Sequence, residues 1–332
     1  MGGNEDALRE GIYEDLITPR IEAQLAAVAA QMQADSSDLD NAEAADRLAL
    51  HLAALVERAV SALPESSRAS VGTEIVRKVG LHLADLANAQ DLDLDLVTER
   101  PQVLRAVHGL NPHGAPRSVG RPLTPLLDTT LLTNARGEPV LGKQLVSEIE
   151  SADSIDAIIA FIRFSGIRPM LDALRAHCAQ GKPLRILTTT YTGSTEPRAL
   201  EELRRIGADI RVSYDTSSTR LHAKAWLFRR AMANSTAYIG SSNLTHSAQI
   251  VGLEWNVRAS ARRNPGVVSK VGAVFDSYWE GGDFLTYDPA VFAAELERDR
   301  KDVTTDLPPF ELRPEPFQQR LLEQVDLSRS LG

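Results

Sequence analysis

Apolar residues recur every three or four positions through residues 5–90, the period of a helix with one buried face. Residues Ile17–Met32 are rich in Ala, Leu and Gln. The run ADRLALHLAALVERAVSAL sets Leu48, Leu52, Leu55, Val56 and Val60 on one face of a second helix. Asn41 is its expected cap, with acidic residues in its first turn. A third helix is expected from about Gly72 to Asn88, so the front of the chain reads as a small helical bundle. NPHGAPRSVGRPLTP, dense in Pro and Gly, then reads as a loop or linker. From about residue 140 helix and strand periods alternate. Gly142–Ser151 is a predicted helix and IDAIIAFI (155–162) a strand; a helix runs from Ser165 or Gly166 to Gln180, and LRILTTT is the next strand. EPRALEELRRIG is a helix with Pro197 in its first turn and Gly207 after its last. DIRVSYD, LHAKAWLF, TAYIG and GLEWNVRAS are further strands, and Pro265–Trp279 is a closing helix. GGDFLTYDP reads as a turn-rich linker before an acidic helix that ends near Arg300. Strands interleaved with short helices predict an α/β sandwich behind an all-helical front.

Composition narrows the class. No run approaches a membrane span, and the acidic, polar N-terminus is unlike a signal peptide. Cys178 is the only cysteine; it falls in a helical pattern and reads as a small core residue. With no disulfide possible within the chain, a reducing, cytoplasmic setting is expected. The net charge of −9 argues at first against nucleic acid, but its distribution reverses that. Residues 1–100 carry −11 and residues 101–250 carry +6, so a basic face for phosphate is available in the middle of the chain. His51 and His82 stand alone on helices and read as structural, and His108 and His113 have no Cys or acidic cluster beside them, so no metal site is expected.

The candidate chemistry lies in three strands. Alternation puts His222, Lys224, Trp226 and Phe228 on one face of LHAKAWLF, with the imidazole and ammonium roughly 7 Å apart. Leu221, Ala223, Ala225 and Leu227 are expected to face a core. An ammonium on a partly covered face is costly unless an anion meets it. The next strand ends in GSSN (240–243), where Gly240 permits a sharp turn and a hydroxyl and an amide can reach the same place. In GLEWNVRAS, Glu254, Asn256 and Arg258 share a face opposite Leu253, Trp255 and Val257. An imidazole nucleophile, an ammonium and amides for phosphate oxygens, and a carboxylate are what phosphoryl transfer needs, without a metal.

HAK followed by GSSN resembles the phospholipase D superfamily motif H-x-K-x4-D…G-S-x-N. His222, Lys224, Gly240, Ser241 and Asn243 match it position by position, and Glu254 matches an acidic residue of the nuclease branch that contacts the catalytic histidine. Arg229 stands where the motif has aspartate, and the segment before GSSN is longer than usual. The segments ALREGIYEDLITPRIEAQL, RPLTPLLDTTLLTNARGEPVLGKQL, IIAFIRFSGIRPML and GLEWNVR resemble bacterial DEAD/DEAH-type helicases that carry an N-terminal phospholipase D-like domain. FELRPEPFQQRLLEQV is similar to the segment that precedes a helicase nucleotide-binding loop, with Gln318 or Gln319 as the adenine reader. No G-x-x-x-x-G-K-[ST] occurs, so the motor is expected to be missing from this chain.

The resemblance implies a phospholipase D-like αβα sandwich with a mixed central sheet. It implies a helical domain and linker over 1–120, a catalytic domain over 121–282, and a linker with the start of a helicase over 283–332. It implies a homodimer, because the family chemistry uses two histidines and only one HAK is present. His222 would form a phosphohistidine, and its twin would act as general acid and then base. Lys224 and Asn243 would hold phosphate oxygens, Ser241 would assist, and Glu254 would orient the imidazole. Arg163, Ser165, Arg168, Thr192, Arg198, Arg220 and Ser242 are the expected contacts to a phosphate backbone. No cofactor is expected, with ATP entering only through a helicase motor. The expected substrate is DNA, in repair or phage defence, with no membrane partner. A non-cleaving DNA-binding or dimerisation module is the alternative, and phospholipid hydrolysis a third reading.

Overall fold

A computed structural model describes residues 8–28, 32–116, 120–133, 135, 140–215, 221–245 and 254–305. The chain divides into two compact units at Val107/His108. The first holds α1 (Pro19–Ala26), α2 (Asn41–Ser61) and α3 (Glu65–Ala87). Thr18 caps α1 by accepting from the Ile21 N–H. Asp40, one residue before the expected Asn41, caps α2 by accepting from the Ala42 N–H at 2.9 Å. A carboxylate there meets both the orphan amide and the positive helix end, which corrects the sequence expectation. α3 begins a full turn and more before the expected Gly72, because Pro64 fixes the chain at its entrance. Gly72 is buried against Val60 of α2.

The second unit is built on one mixed sheet of eight strands: β1 (Thr130–Leu132), β2 (Ser154–Ile159), β3 (Leu184–Thr189), β4 (Asp209–Ser213), β5 (Lys224–Arg229), β6 (Thr236–Gly240), β7 (Asn256–Ser260) and β8 (Leu285–Thr286). Their order is β1-β7-β6-β5-β2-β3-β4-β8. β2, β3 and β4 run parallel and every other neighbouring pair is antiparallel. Helices α4 (Leu141–Ser151), α5 (Phe164–Ile167), α6 (Leu171–Ala179) and α7 (Pro197–Arg205) are joined in chain order to these strands. The larger core joins Leu145, Ile149, Leu174 and Leu203 of α4, α6 and α7 to Ile155, Ile186, Trp226, Phe228 and Tyr238 of the sheet. On the other face α8 (Pro265–Glu280) sets Val268 against Leu227, Ala237 and Ala259, and Phe275 and Trp279 against Ile158 and Leu187. This is the αβα sandwich with a mixed sheet that the pattern and resemblance predicted, and an all-helical unit precedes it.

Three details differ from the sequence reading. Both faces of β5 are covered, and the Trp226–Phe228 face meets the larger core. GGDFLTYDP is not a linker: Leu285 and Thr286 pair with β4 as the edge strand β8, while Phe284 and Tyr287 are buried. α9 (Pro289–Thr305) then buries Phe292 and Leu296 in the larger core. β1, too short to show a period, was not foreseen.

Candidate phosphoryl-transfer site

The parallel strands β2 and β3 end, and the antiparallel β5 and β7 begin, on the same rim of the sheet. This is where crossover loops gather ligand-binding groups in α/β sheets. His222 and Lys224 lie at the entrance of β5, Ser241–Asn243 at the exit of β6, and Glu254–Asn256 at the entrance of β7. The sheet register therefore brings together groups up to 34 residues apart in sequence.

Lys224 is 7 % exposed and shares a small cavity with Trp226, Tyr238, Ser242, Asn243 and Asn256. Its Nζ donates to His222 Nδ1 at 2.9 Å and to the His222 carbonyl oxygen at 2.6 Å. Among the described residues no carboxylate lies within ion-pair distance of it. Burial lowers its proton affinity below the ordinary lysine range, and the more distant charge of Glu254 partly offsets that. An ammonium has no lone pair, so Nδ1 must be the acceptor, and a neutral ring then carries its hydrogen on Nε2.

Asn243 Oδ1 accepts from the Phe161 backbone N–H at 3.3 Å, which leaves the Nδ2 hydrogens as the donors of this amide. The loop holding it is pinned by Leu244 N–H to Phe161 O at 3.1 Å and Arg163 N–H to Leu244 O at 2.9 Å. Phe161 also sets its ring 5.9 Å from the His222 ring, at 73°, and 5.8 Å from Lys224 Nζ. Sequence reasoning passed over Phe161, because an aromatic ring within an apolar run carries no chemical signal. Asn256 was noted only as an available amide. It is buried, and its Nδ2 donates to Ser242 Oγ at 2.8 Å.

The expected contacts sort into five groups. His222, Lys224 and Asn243 are brought together. Ser241 is exposed, and its hydroxyl donates to Glu254 and accepts from the Trp255 N–H at 3.2 Å. Glu254 thus holds Ser241, whereas His222 Nδ1 is held by Lys224; the expected Glu254–imidazole bond is not made. Ser242 is buried in the wall of the Lys224 cavity, and its hydroxyl accepts from Asn256 Nδ2. Arg163, Ser165, Arg168 and Arg198 are exposed, and the Arg198 guanidinium stacks 3.9 Å over the Phe164 ring. Arg220 and the Thr192 side chain lie outside the described residues, as do Gln318 and Gln319.

Arg258, expected on the same face as Glu254, is fully buried and committed elsewhere. Its Nε donates to Glu148 at 2.7 Å, and its other nitrogens donate to the carbonyls of Thr124, Pro125 and Asp128. Arg229, at the position of the motif aspartate, stands at the opposite end of β5, about 17 Å from Lys224 at strand rise. Among the described residues no three His, Cys, Asp or Glu side chains converge as a metal site. No described helix is long and apolar enough to cross a membrane.

Residues 145–279 match the family described as cardiolipin synthase, PLD-like domain. Among solved structures the chain is similar to Nuc of Salmonella typhimurium, a phospholipase D family member, at 18 % identity and TM-score 0.39. That match covers 48 % of this chain and 99 % of that one. NucT of Helicobacter pylori matches at 13 % identity and TM-score 0.37, with the same coverages. Phosphatidylserine synthase of Haemophilus influenzae Rd KW20 matches at 9 % identity and TM-score 0.36, over 53 % of this chain and 44 % of that one. No curated protein sequence matches. The family match spans the strands and loops that bring His222, Lys224 and Asn243 to one rim, so residues 145–279 carry a phospholipase D-like domain.

Proposed function

We propose that this domain is a phosphodiesterase that cuts DNA through a phosphohistidine, without a metal, and that it works as a homodimer. The observation that carries the reading is Lys224: a buried ammonium with no carboxylate in ion-pair range among the described residues, beside an imidazole and an amide. Such a group is paired only when an anion enters. The exposed Arg163, Arg168 and Arg198 and the +6 balance of residues 101–250 support a polyanionic substrate. The role as the nuclease-like part of a cytoplasmic helicase in repair or phage defence rests on sequence resemblance alone.

In this scheme a phosphodiester draws Lys224 Nζ onto a non-bridging oxygen, and Asn243 Nδ2 donates to another. Nδ1 of His222 then carries the hydrogen, with Glu254 as the carboxylate able to receive it. Nε2 attacks phosphorus, the P–N bond forms, and the P–O bond to the leaving strand breaks. The imidazolium of a second copy's His222 gives its proton to that oxygen, then takes one from the water that cleaves the P–N bond.

Supercoiled plasmid incubated in EDTA with the wild type and with His222→Ala tests this. Nicking that survives EDTA and disappears in the variant is the expected result, with an acid-labile phosphoenzyme trapped on quenching. Absence of any product from the wild type overturns it. A second reading, a module that holds DNA without cutting, is favoured by one observation: Lys224, not a carboxylate, engages His222 Nδ1. Salt-sensitive binding with no cleavage is its signature.

A further inference from the structure

We propose that Trp255 is the stacking platform for an unpaired base of the bound strand, and that single-stranded DNA is therefore the substrate class of this site; the proposal rests on the DNA reading above. Trp255 is 66 % exposed, although it stands immediately before β7 and beside the motif residues. Its backbone is held at both ends: Ser241 N–H donates to Trp255 O at 3.1 Å, and Trp255 N–H donates to Ser241 Oγ at 3.2 Å. Gly240 permits this approach, because a Cβ there would collide with the Trp255 carbonyl. The residue before it is Glu254, which Ser241 holds. An indole on so fixed a backbone loses little further freedom when a planar group lies on it. Among the described residues the Trp255 ring pairs with no other ring. The neighbouring rim aromatics are committed: the Phe161 ring meets His222, and Phe164 lies under the Arg198 guanidinium.

A base fits this position for three reasons. The sheet order puts Trp255 on one side of Lys224 and the exposed Arg163 and Arg198 on the other. Trp255 opens β7, two strand spacings or about 10 Å from β5. A strand laid along this rim sets phosphates on the arginines and on Lys224, and brings a neighbouring base to the indole. Next, Val257 and Ile239, on the same face as Trp255, are 43 % and 38 % exposed and offer no donor or acceptor to a base edge. The contact is therefore with base faces, which is tolerant of sequence. Last, base faces are covered by their neighbours in a duplex. Only an unpaired, unstacked strand presents one to a side chain.

Tryptophan emission of the full chain tests this, because the other two tryptophans, Trp226 and Trp279, are only 5 % and 8 % exposed. The chain carrying His222→Ala, which blocks cutting, is titrated with oligothymidylate, with an abasic strand of the same length and with a blunt duplex. Oligothymidylate is expected to quench the emission, and the other two to leave it unchanged. Trp255→Ala and Trp255→Leu in the same background are expected to bind oligothymidylate about 10–100-fold more weakly. Trp255→Phe should keep most of the affinity, and all forms should bind the abasic strand alike. Undiminished affinity in Trp255→Leu overturns stacking, because apolar area alone would then suffice. Quenching by the duplex as strong as by oligothymidylate overturns the substrate class. A lower sedimentation mass for Trp255→Ala than for the parent means that another copy covers the ring, and it overturns the platform. If the chain with His222 intact nicks plasmid in EDTA while the Trp255 variants bind and cut equally well, the chemistry stands and the platform falls. If the quenching and the variant order appear but no form cuts DNA, the platform stands and the proposed chemistry falls.

Discussion

Arg229 and Asp156 form an ion pair, Nε to Oδ2 at 2.6 Å, at the end of β5 away from His222. The Asp156 side chain is 1 % exposed, and its other oxygen takes Arg185 Nε at 2.7 Å. Both arginines also reach Asp276 of α8. The basic residue at the motif's aspartate position thus meets a carboxylate from the neighbouring strand β2, and the cluster ties β2, β3 and β5 to α8. The departure from the family motif is structural, and it gives no ground for expecting an inactive site.

Arg229→Ala should therefore lower stability by about 1–3 kcal/mol, since Asp156 stays buried with one partner fewer. Activity per folded molecule should not change. Urea denaturation and plasmid nicking, run on the same preparation, separate the two effects. A loss of nicking at unchanged stability would place Arg229 in the chemistry.

Lys224 should give a distinctive pH dependence. Its folded proton affinity is lowered from the ordinary 10.5, so between the lowered value and 10.5 the unfolded chain binds more protons. Stability without substrate should then rise with pH through that window, and Lys224→Met should abolish that component of the rise. At neutral pH the same variant should be more stable than the wild type by about 1 kcal/mol, because it removes a buried charge with no carboxylate in ion-pair range among the described residues. It should also lose DNA affinity. Melting curves at stepped pH check both signs.

Gly166 of α5 packs directly on the loop that carries Asn243. A Cβ there would fall 2.6 Å from Thr245 N and closer still to the Leu244 carbonyl. Gly166→Ala should push this loop away and cost about 1–3 kcal/mol. Nicking should drop by about 10–100-fold through displacement of Asn243. A crystal structure of the variant with Asn243 unmoved would refute the link.

Glu148 of α4 is fully buried and accepts from Arg258, Arg230, Thr236 and Tyr238, the last at 3.0 Å. Burial and that carboxylate push the Tyr238 hydroxyl far above the usual tyrosine range. Glu148→Ala would leave the Arg258 guanidinium buried without a carboxylate and should cost about 3–5 kcal/mol. Guanidinium denaturation measures it.

The order of the longer helices and of β2–β7 followed from local period alone, because a buried helix face repeats every 3.6 residues and a strand every two; β1 and β8 are too short to show one. The gathering of His222, Lys224 and Asn243 on one rim was legible too, since spacing and residue type carry it. Strand faces were read in the right phase on β7, but what covers each face was not. Arg258 looked available for a substrate and is instead consumed by Glu148, a residue 110 positions earlier. The partners that Ser242 and Glu254 hold, Asn256 and Ser241, were not legible for the same reason: a hydroxyl or carboxylate takes whichever donor or acceptor the fold sets nearest. Phe161 beside His222 and the close packing of Gly166 on the Asn243 loop gave no signal along the chain. Their meaning depends on distances across strands and loops, and those exist only once the sheet has formed its register.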